Sequence, residues 1–251
     1  MDLSLEGKVA VITGGSRGIG RAIAEGMAAE GAEVVIASRK LDACEVAAAE
    51  ITAATGRRAM PVAFHAGRWQ DAEVLADAVY AELGRCDVLV NNAGMSPLYP
   101  DLVSVTEDLY DKVHAVNARG PFRLSALLGT RMAEADGGVI LNVTTAGTLR
   151  PTTNELPYAM AKAGLNALTL ALAGAWAPKV RANLLIPGAF DTDIATHWSQ
   201  EMRDAVSTMN PLGRMGVPAD MVGIAVLLAS DAGRYINGAQ ILVDGGLYRS
   251  L

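Results

Sequence analysis

The chain has 251 residues, 51% of them hydrophobic and 19% charged, with a formal net charge of −6. That length suffices to bury one large core, the acidic balance argues against a nucleic-acid partner, which calls for a basic face, and no apolar run reaches the roughly 20 residues of a membrane span. Cys44 and Cys86 are too few for a disulfide framework and are expected to pack as small apolar groups, while Met1-Asp2-Leu3-Ser4-Leu5-Glu6 has neither the basic stretch nor the apolar core of a secretory signal, so a cytoplasmic protein is expected.

The apolar run 8–12 reads as a first strand and leads into Thr13-Gly14-Gly15-Ser16-Arg17-Gly18-Ile19-Gly20, after which a helical pattern begins at Arg21. A strand, a glycine-rich turn and a helix start together make a phosphate-binding loop, because backbone N–H groups and the positive helix end face the turn. Gly14 supplies the tight turn, Gly18 a close approach for a pyrophosphate, and Gly20 close helix–strand packing. The first two of these glycines are separated by three residues instead of the usual one, and an ordinary strand–helix turn is the plainer alternative.

Residues 33–37 form a second strand, and Ser38-Arg39-Lys40 stands at its carboxyl end, where an adenine ribose would lie. No acid stands here to bind both ribose hydroxyls. Ser38 and Arg39 leave room and charge for a 2′-phosphate, unless the loop is simply a solvated basic one. Next come a helix over 41–55, a strand over 59–65, a helix over 69–84, and a strand over 87–90 that runs into Asn91-Asn92-Ala93-Gly94. Strand and helix alternate with no linker or short repeat, so one doubly wound α/β domain is expected across 1–251. His65, His114 and His197 are scattered, with no carboxylate at ligand spacing, and no metal site is expected.

Residues 104–118 and 121–134 read as a helix interrupted at Gly120-Pro121. Proline brings no N–H, so the carbonyl of Asn117 is left free to hold a water, or the helix merely kinks. A fifth strand is expected over 138–145, ending in Thr144-Thr145, whose side chains would then point to opposite faces. Tyr158 and Lys162 lie four residues apart at the start of a long helix and share one face. That helix is apolar nearly all round as far as Trp176, which calls for burial on every side, by the sheet and by a second subunit. A sixth strand over 180–186 closes at Pro187-Gly188, and 190–209 suits a lid over a small apolar substrate, or a surface helix. An amphipathic helix over 218–230 and a strand over 240–243 lead to Asp244-Gly245-Gly246.

In this order and spacing, Thr13 to Gly20, Asn91-Asn92-Ala93-Gly94, Asn117, Tyr158 with Lys162, Pro187-Gly188 with Thr192, and Asp244-Gly245-Gly246 resemble the short-chain dehydrogenase/reductase family over essentially the whole chain. The resemblance implies a Rossmann-type fold with a seven-stranded parallel sheet, and a dimer or tetramer built through the interrupted helix and the Tyr158 helix. It implies NADP(H) or NAD(H) as cofactor, with NADP(H) preferred on the residues at Ser38 and Arg39, and hydride transfer to or from a carbonyl or alcohol. Tyr158 is then the general acid in reduction and the base in oxidation, its phenol lowered from near 10 by Lys162 and the oxidised nicotinamide. Lys162 also binds the nicotinamide ribose, and Asn117 holds a relay water. Gly14, Ser16, Arg17, Gly18, Ile19 and Gly20 hold the pyrophosphate end, with Arg17 also near the 2′-phosphate. Asn91, Ala93 and Gly94 line the cofactor, and Ile186, Pro187, Gly188 and Thr192 hold the nicotinamide end. Thr145 stands where the family has its substrate-orienting serine, thirteen residues before the tyrosine, and His65 stands where many members place an aspartate. The substrate stays open among a ketone, a 3-oxoacyl thioester, a sugar or polyol, and a steroid-like alcohol. A cofactor-binding sensor without turnover is the alternative.

Overall fold

The computed structural model describes residues 2–192, 195 and 198–248. His197, and with it part of the expected lid at 190–209, lies outside the described residues. The strands β1 (Val9–Thr13), β2 (Glu33–Ser38), β3 (Ala59–Ala63), β4 (Val88–Asn91), β5 (Gly138–Val143), β6 (Val180–Pro187) and β7 (Gln240–Val243) form one sheet in the order β3-β2-β1-β4-β5-β6-β7. Every pairing is parallel. A parallel sheet needs a crossover helix for each step and so is covered on both faces, which is why β1 and β4 are buried throughout and read as near-continuous apolar runs.

One face carries α1 (Gly18–Ala29), α2 (Leu41–Thr55) and α8 (Val222–Ala229), packed on alternate side chains such as Ala10, Ile12, Val88, Val90 and Leu141. The other face carries α3 (Trp69–Leu83), α5 (Gly120–Glu134) and α6 (Leu156–Ala175), packed on Val9, Val11, Leu89 and Ile140. Chain order reverses between β1 and β4, so the carboxyl ends of these two strands open a crevice in which the loops after β1, β4, β5 and β6 meet. Among the described residues no helix is long and apolar enough to cross a membrane, and both cysteines are buried thiols.

Several expected elements differ. The third strand ends at Ala63, so His65 lies beyond it, where its Nδ1 accepts the Gly67 N–H at 3.1 Å and closes the loop. The helix through Pro121 is not broken. After α4 (Glu107–His114) it widens into a π turn, Ala115–Arg119, in which the Gly120 N–H reaches back to Ala115 O, and it continues as α5. Asn117 Nδ2 occupies the Val113 carbonyl at 2.9 Å, and Pro121 has no N–H to offer. With both regular pairings compromised, the wider turn is the remaining way to stay helical. Gly120 is required there, because a Cβ would overlap the carbonyl of Ala66.

The fifth strand stops at Val143, since Thr145 leaves the ladder to cap a one-turn helix at Ala146–Thr148 by accepting the Gly147 N–H at 3.1 Å. Thr144 still donates its N–H to Leu185 O and Thr145 keeps an extended backbone, with Thr144 buried and Thr145 only partly so. The last helix, α8, is apolar all round instead of amphipathic, because it lies between α1 and the sheet. Within 190–209, Phe190 belongs to the core, pressed on Gly216, Ala195 is buried, and α7 (Gln200–Met209) is largely exposed. Trp176 is seated in a socket over Gly129, where a Cβ would overlap its ring, and is part of this chain's own packing.

Candidate active site

The glycine loop is built around Asn92, whose contribution the sequence reading missed. Its Nδ2 donates to Thr13 O at 3.0 Å, and Thr13 Oγ1 accepts the N–H groups of Asn92 (3.0 Å) and Ala93 (3.1 Å). Those bonds staple the end of β4 to the end of β1. A Cβ on Gly14 would come within 2.8 Å of Asn92 Nδ2, and one on Gly20 would overlap the same atom and lie 2.5 Å from Gly14 O. Gly14 and Gly18 also take φ of +68° and +58°, where only glycine is free of strain. Among the described residues, a Cβ on Gly18 would come within 4 Å of the Thr192 side chain alone, at 3.9 Å, so the loop after β6 faces the open side of the glycine turn. Arg17 is exposed and precedes α1, and Ile19 packs against the core. Ser16 Oγ donates to Ser38 Oγ at 3.1 Å, joining this loop to the end of β2 beside the exposed Arg39.

Asn91, expected to line the cofactor, turns its side chain inward. Its Nδ2 donates to Asn142 Oδ1 (2.8 Å) and Ser125 Oγ (2.9 Å), and Asn142 Nδ2 continues to Thr169 Oγ1 (2.7 Å). Position gives the reason: Asn91 shares a strand face with Leu89, which packs under α5 and α6. Asn117 is fully buried and clamps Met95 from both sides, donating to its carbonyl at 2.8 Å and accepting its N–H at 3.2 Å. This clamp fixes the loop after β4, and Gly94 within it is a cradle, since a Cβ there would stand 3.0 Å from Asn117 Oδ1 and 3.6 Å from Lys162 Nζ.

Lys162 is 2% exposed and donates to Val143 O at 2.8 Å. A lysine ammonium has three donors, so two remain for a ligand on the Gly94 side. Burial pushes its pKa down to about 7. Its Nζ lies 5.8 Å from the ring centre of Tyr158. Burial and the Glu155 carboxylate push the Tyr158 phenol upward, while hydrogen bonding with Thr145 works in the other direction. The depression expected from Lys162 is thus not supplied by the protein's own groups, which hold the phenol as a neutral donor. The buried Thr144 hydroxyl has no hydrogen-bond partner among the described residues. Gly188 lets the loop after β6 pass Asp244, where a Cβ would lie 2.6 Å from the aspartate Cβ, and Pro187 ends β6 next to it.

Beside Tyr158 is a small recess walled by Pro97, Tyr99, Val113 and Pro157, which Glu155 also lines. Glu155 lies within 148–156, a segment expected to shape the pocket, though it was not singled out there. Among the described residues no group of three His, Cys, Asp or Glu side chains could hold a metal ion. The residues present fit a dinucleotide. The left-handed glycines leave a concavity at the start of α1, the Ser16–Ser38 pair lies beside a cation, and Gly94 leaves open a floor that a side chain would fill, next to Lys162 donors.

A family model described as Enoyl-(Acyl carrier protein) reductase matches residues 14–248. D-threitol dehydrogenase of Mycolicibacterium smegmatis is 35% identical over 98% of this chain and 94% of its own length. L-rhamnose 1-dehydrogenase (NAD(P)(+)) of Azotobacter vinelandii is 38% identical over 97% of this chain and 98% of its own. The crystal structure of a gluconate 5-dehydrogenase from Burkholderia cenocepacia, in complex with NADP and tartrate, superposes with a TM-score of 0.94 at 30% identity, covering 100% of this chain and 98% of that one.

Proposed function

This chain is an oxidoreductase of the short-chain dehydrogenase/reductase family, and on that premise we propose that it moves hydride between NADP(H), preferred over NAD(H), and a secondary alcohol or the matching ketone. The observation that carries the reading is the partly buried Tyr158 phenol, held neutral beside Thr145 on one side and the Lys162 ammonium on the other. When bound, the nicotinamide supplies the hydride acceptor or donor, chemistry that belongs to the cofactor.

The chain's own groups do the rest. Ser16, Arg17, Gly18, Ile19 and Gly20 hold the pyrophosphate through backbone N–H groups and the α1 end, on a turn that Gly14 shapes while its own N–H donates to Ala37 O. Ser38 and Arg39, with Arg17, receive the 2′-phosphate. Ala93 and Gly94 line the cofactor, Lys162 gives its two remaining donors to ribose hydroxyls, and Pro187, Gly188 and Thr192 hold the nicotinamide end. Asn117 keeps the relay water and the Met95 loop in place. Tyr158, protonated at rest, gives its proton to the carbonyl oxygen in reduction and takes it back in oxidation, while Thr145 orients that oxygen with the one hydroxyl donor it has.

Residues 1–251 act as one catalytic domain with 190–209 as its lid, in the cytoplasm and as an oligomer. What supports the oligomer is the outer face of α6, where Met160 and Leu170 are about half exposed along a line with Ala163, Ala167 and Ala171. The test is a panel of polyols, sugars and ketones with each cofactor, followed at the nicotinamide absorbance. At least a tenfold preference for NADP(H) is expected, reduced or reversed in Ser38→Asp. Equal or better kcat/KM with NAD(H) refutes the cofactor assignment.

A further inference from the structure

We infer that Glu155 is the substrate-reading side chain of this site, accepting hydrogen bonds from the hydroxyls of a neutral polyol or sugar that flank the reacting carbon, and turning away substrates that carry a carboxylate there. This rests on the alcohol–ketone reading above and names its substrate class.

Glu155 stands three residues before Tyr158, at the start of α6. The turn that carries it is pinned from the loop after β4: the Tyr99 hydroxyl accepts the Leu156 N–H at 2.8 Å and donates to Thr153 O. Its carboxylate reaches across to Gly147. A Cβ on Gly147 would overlap Glu155 Oε1 and lie 3.1 Å from Cδ, so a side chain there would push the carboxylate aside. Gly147 is also the residue whose N–H binds Thr145 Oγ1. The carboxylate therefore lies beside both groups proposed to handle the substrate oxygen.

Glu155 is half-buried in a recess with otherwise apolar walls, and burial alone pushes its carboxyl upward. Among the described residues it receives no hydrogen bond and no ion pair. An ionised carboxylate is an acceptor only, and a half-buried one in this recess gains from each donor brought to it. A ligand in the recess supplies those donors in place of water. Hydroxyl groups fit. A second carboxylate would be repelled, since like charges a few ångströms apart in a poorly solvated recess interact strongly. A cationic ligand would face the Lys162 ammonium across the same phenol.

The experiment compares the unmodified enzyme, Glu155→Gln and Gly147→Ala on four- to six-carbon alditols, the aldonates of equal length, and cyclohexanol as a hydroxyl-poor alcohol. The unmodified enzyme should favour the best alditol over its aldonate at least tenfold in kcat/KM. Glu155→Gln should raise the alditol KM tenfold or more with a smaller change in kcat, improve the aldonate, and leave the cyclohexanol KM within twofold. Gly147→Ala, which displaces the carboxylate from the opposite side, should raise the alditol KM in the same way. An unchanged alditol KM and alditol-to-aldonate ratio in Glu155→Gln overturns the assignment. So does an unmodified enzyme that oxidises cyclohexanol and no alditol or sugar, although the oxidoreductase reading then stands. An enzyme inert on the whole panel with both cofactors overturns that reading, and this one with it.

Discussion

Replacing Lys162 by methionine should abolish turnover and yet make the free protein more stable at neutral pH. The ammonium is fully buried and its pKa falls to about 7 in the folded chain, against about 10.4 in an unfolded one. Between those values the unfolded state binds the proton that the folded state has released. Stability therefore rises with pH across this window, and the penalty is fully present below about pH 7. Each tenfold difference in proton affinity is worth about 1.36 kcal/mol. The buried charge thus costs about 4 kcal/mol at pH 7 and about 2 kcal/mol at pH 9. Methionine keeps the length of the side chain and removes the charge, at the expense of the bond to Val143 O, whose loss costs about 1–3 kcal/mol. The variant should be more stable by about 1–3 kcal/mol at pH 7, and that advantage should shrink by about 2 kcal/mol at pH 9. Urea unfolding of both proteins at fixed concentration and both pH values measures the change, and other titrating groups cancel in the difference. A difference between the two proteins that is the same at pH 7 and pH 9 refutes the reasoning.

Gly20→Ala should cost about 3 kcal/mol or more, through overlap with Asn92 and Gly14 O, whereas Gly223→Ala in α8, with open space around it, should be neutral or stabilising; thermal melting compares the two. Thr145→Ala should lower kcat/KM by about 10²-fold, the loss of one oriented donor, with Thr145→Ser active; full activity in Thr145→Ala would exclude the assigned role. Thr144→Val removes a buried hydroxyl without a partner among the described residues, so its melting temperature should hold or rise. Leu170→Glu should shift light scattering toward monomer, while Trp176→Glu should lower stability instead, because that ring fills the Gly129 socket; unchanged assembly in Leu170→Glu would remove α6 from the interface.

The sheet, its helices and the glycine turn were legible because their rules are local. Alternating apolar side chains mark strands, and a glycine between a strand and a helix marks a close approach. The spacing of Tyr158 and Lys162 likewise translates directly into a shared helix face. What could not be read depended on contacts distant in sequence. Asn91 looks like a loop residue by adjacency to Gly94, and only its strand parity with Leu89 betrays its inward direction. The π turn follows from a side chain, Asn117, occupying a backbone acceptor. The end of β5 was misplaced because Thr145 is a good strand former that caps a turn. Glu155 carries no motif, and its meaning comes from Gly147, eight residues earlier, and from Tyr99 in another loop.

The paired amides under the crevice act as an alignment mark for the centre of the sheet. Asn91 and Asn142 are direct partners across β4 and β5. In strands as uniformly apolar as these, sliding one past the other by two residues would keep every greasy side chain on its own face and be only weakly opposed by burial. Such a slide would strand two amides, Ser125 and Thr169 in an apolar layer, so the polar chain penalises slips of one and of two residues alike. The loops that leave β4 and β5 carry Gly94 and Thr145, and Thr169 ties the same chain to the helix bearing Tyr158 and Lys162. Groups that must meet within an ångström are in this way indexed to a common origin buried beneath them.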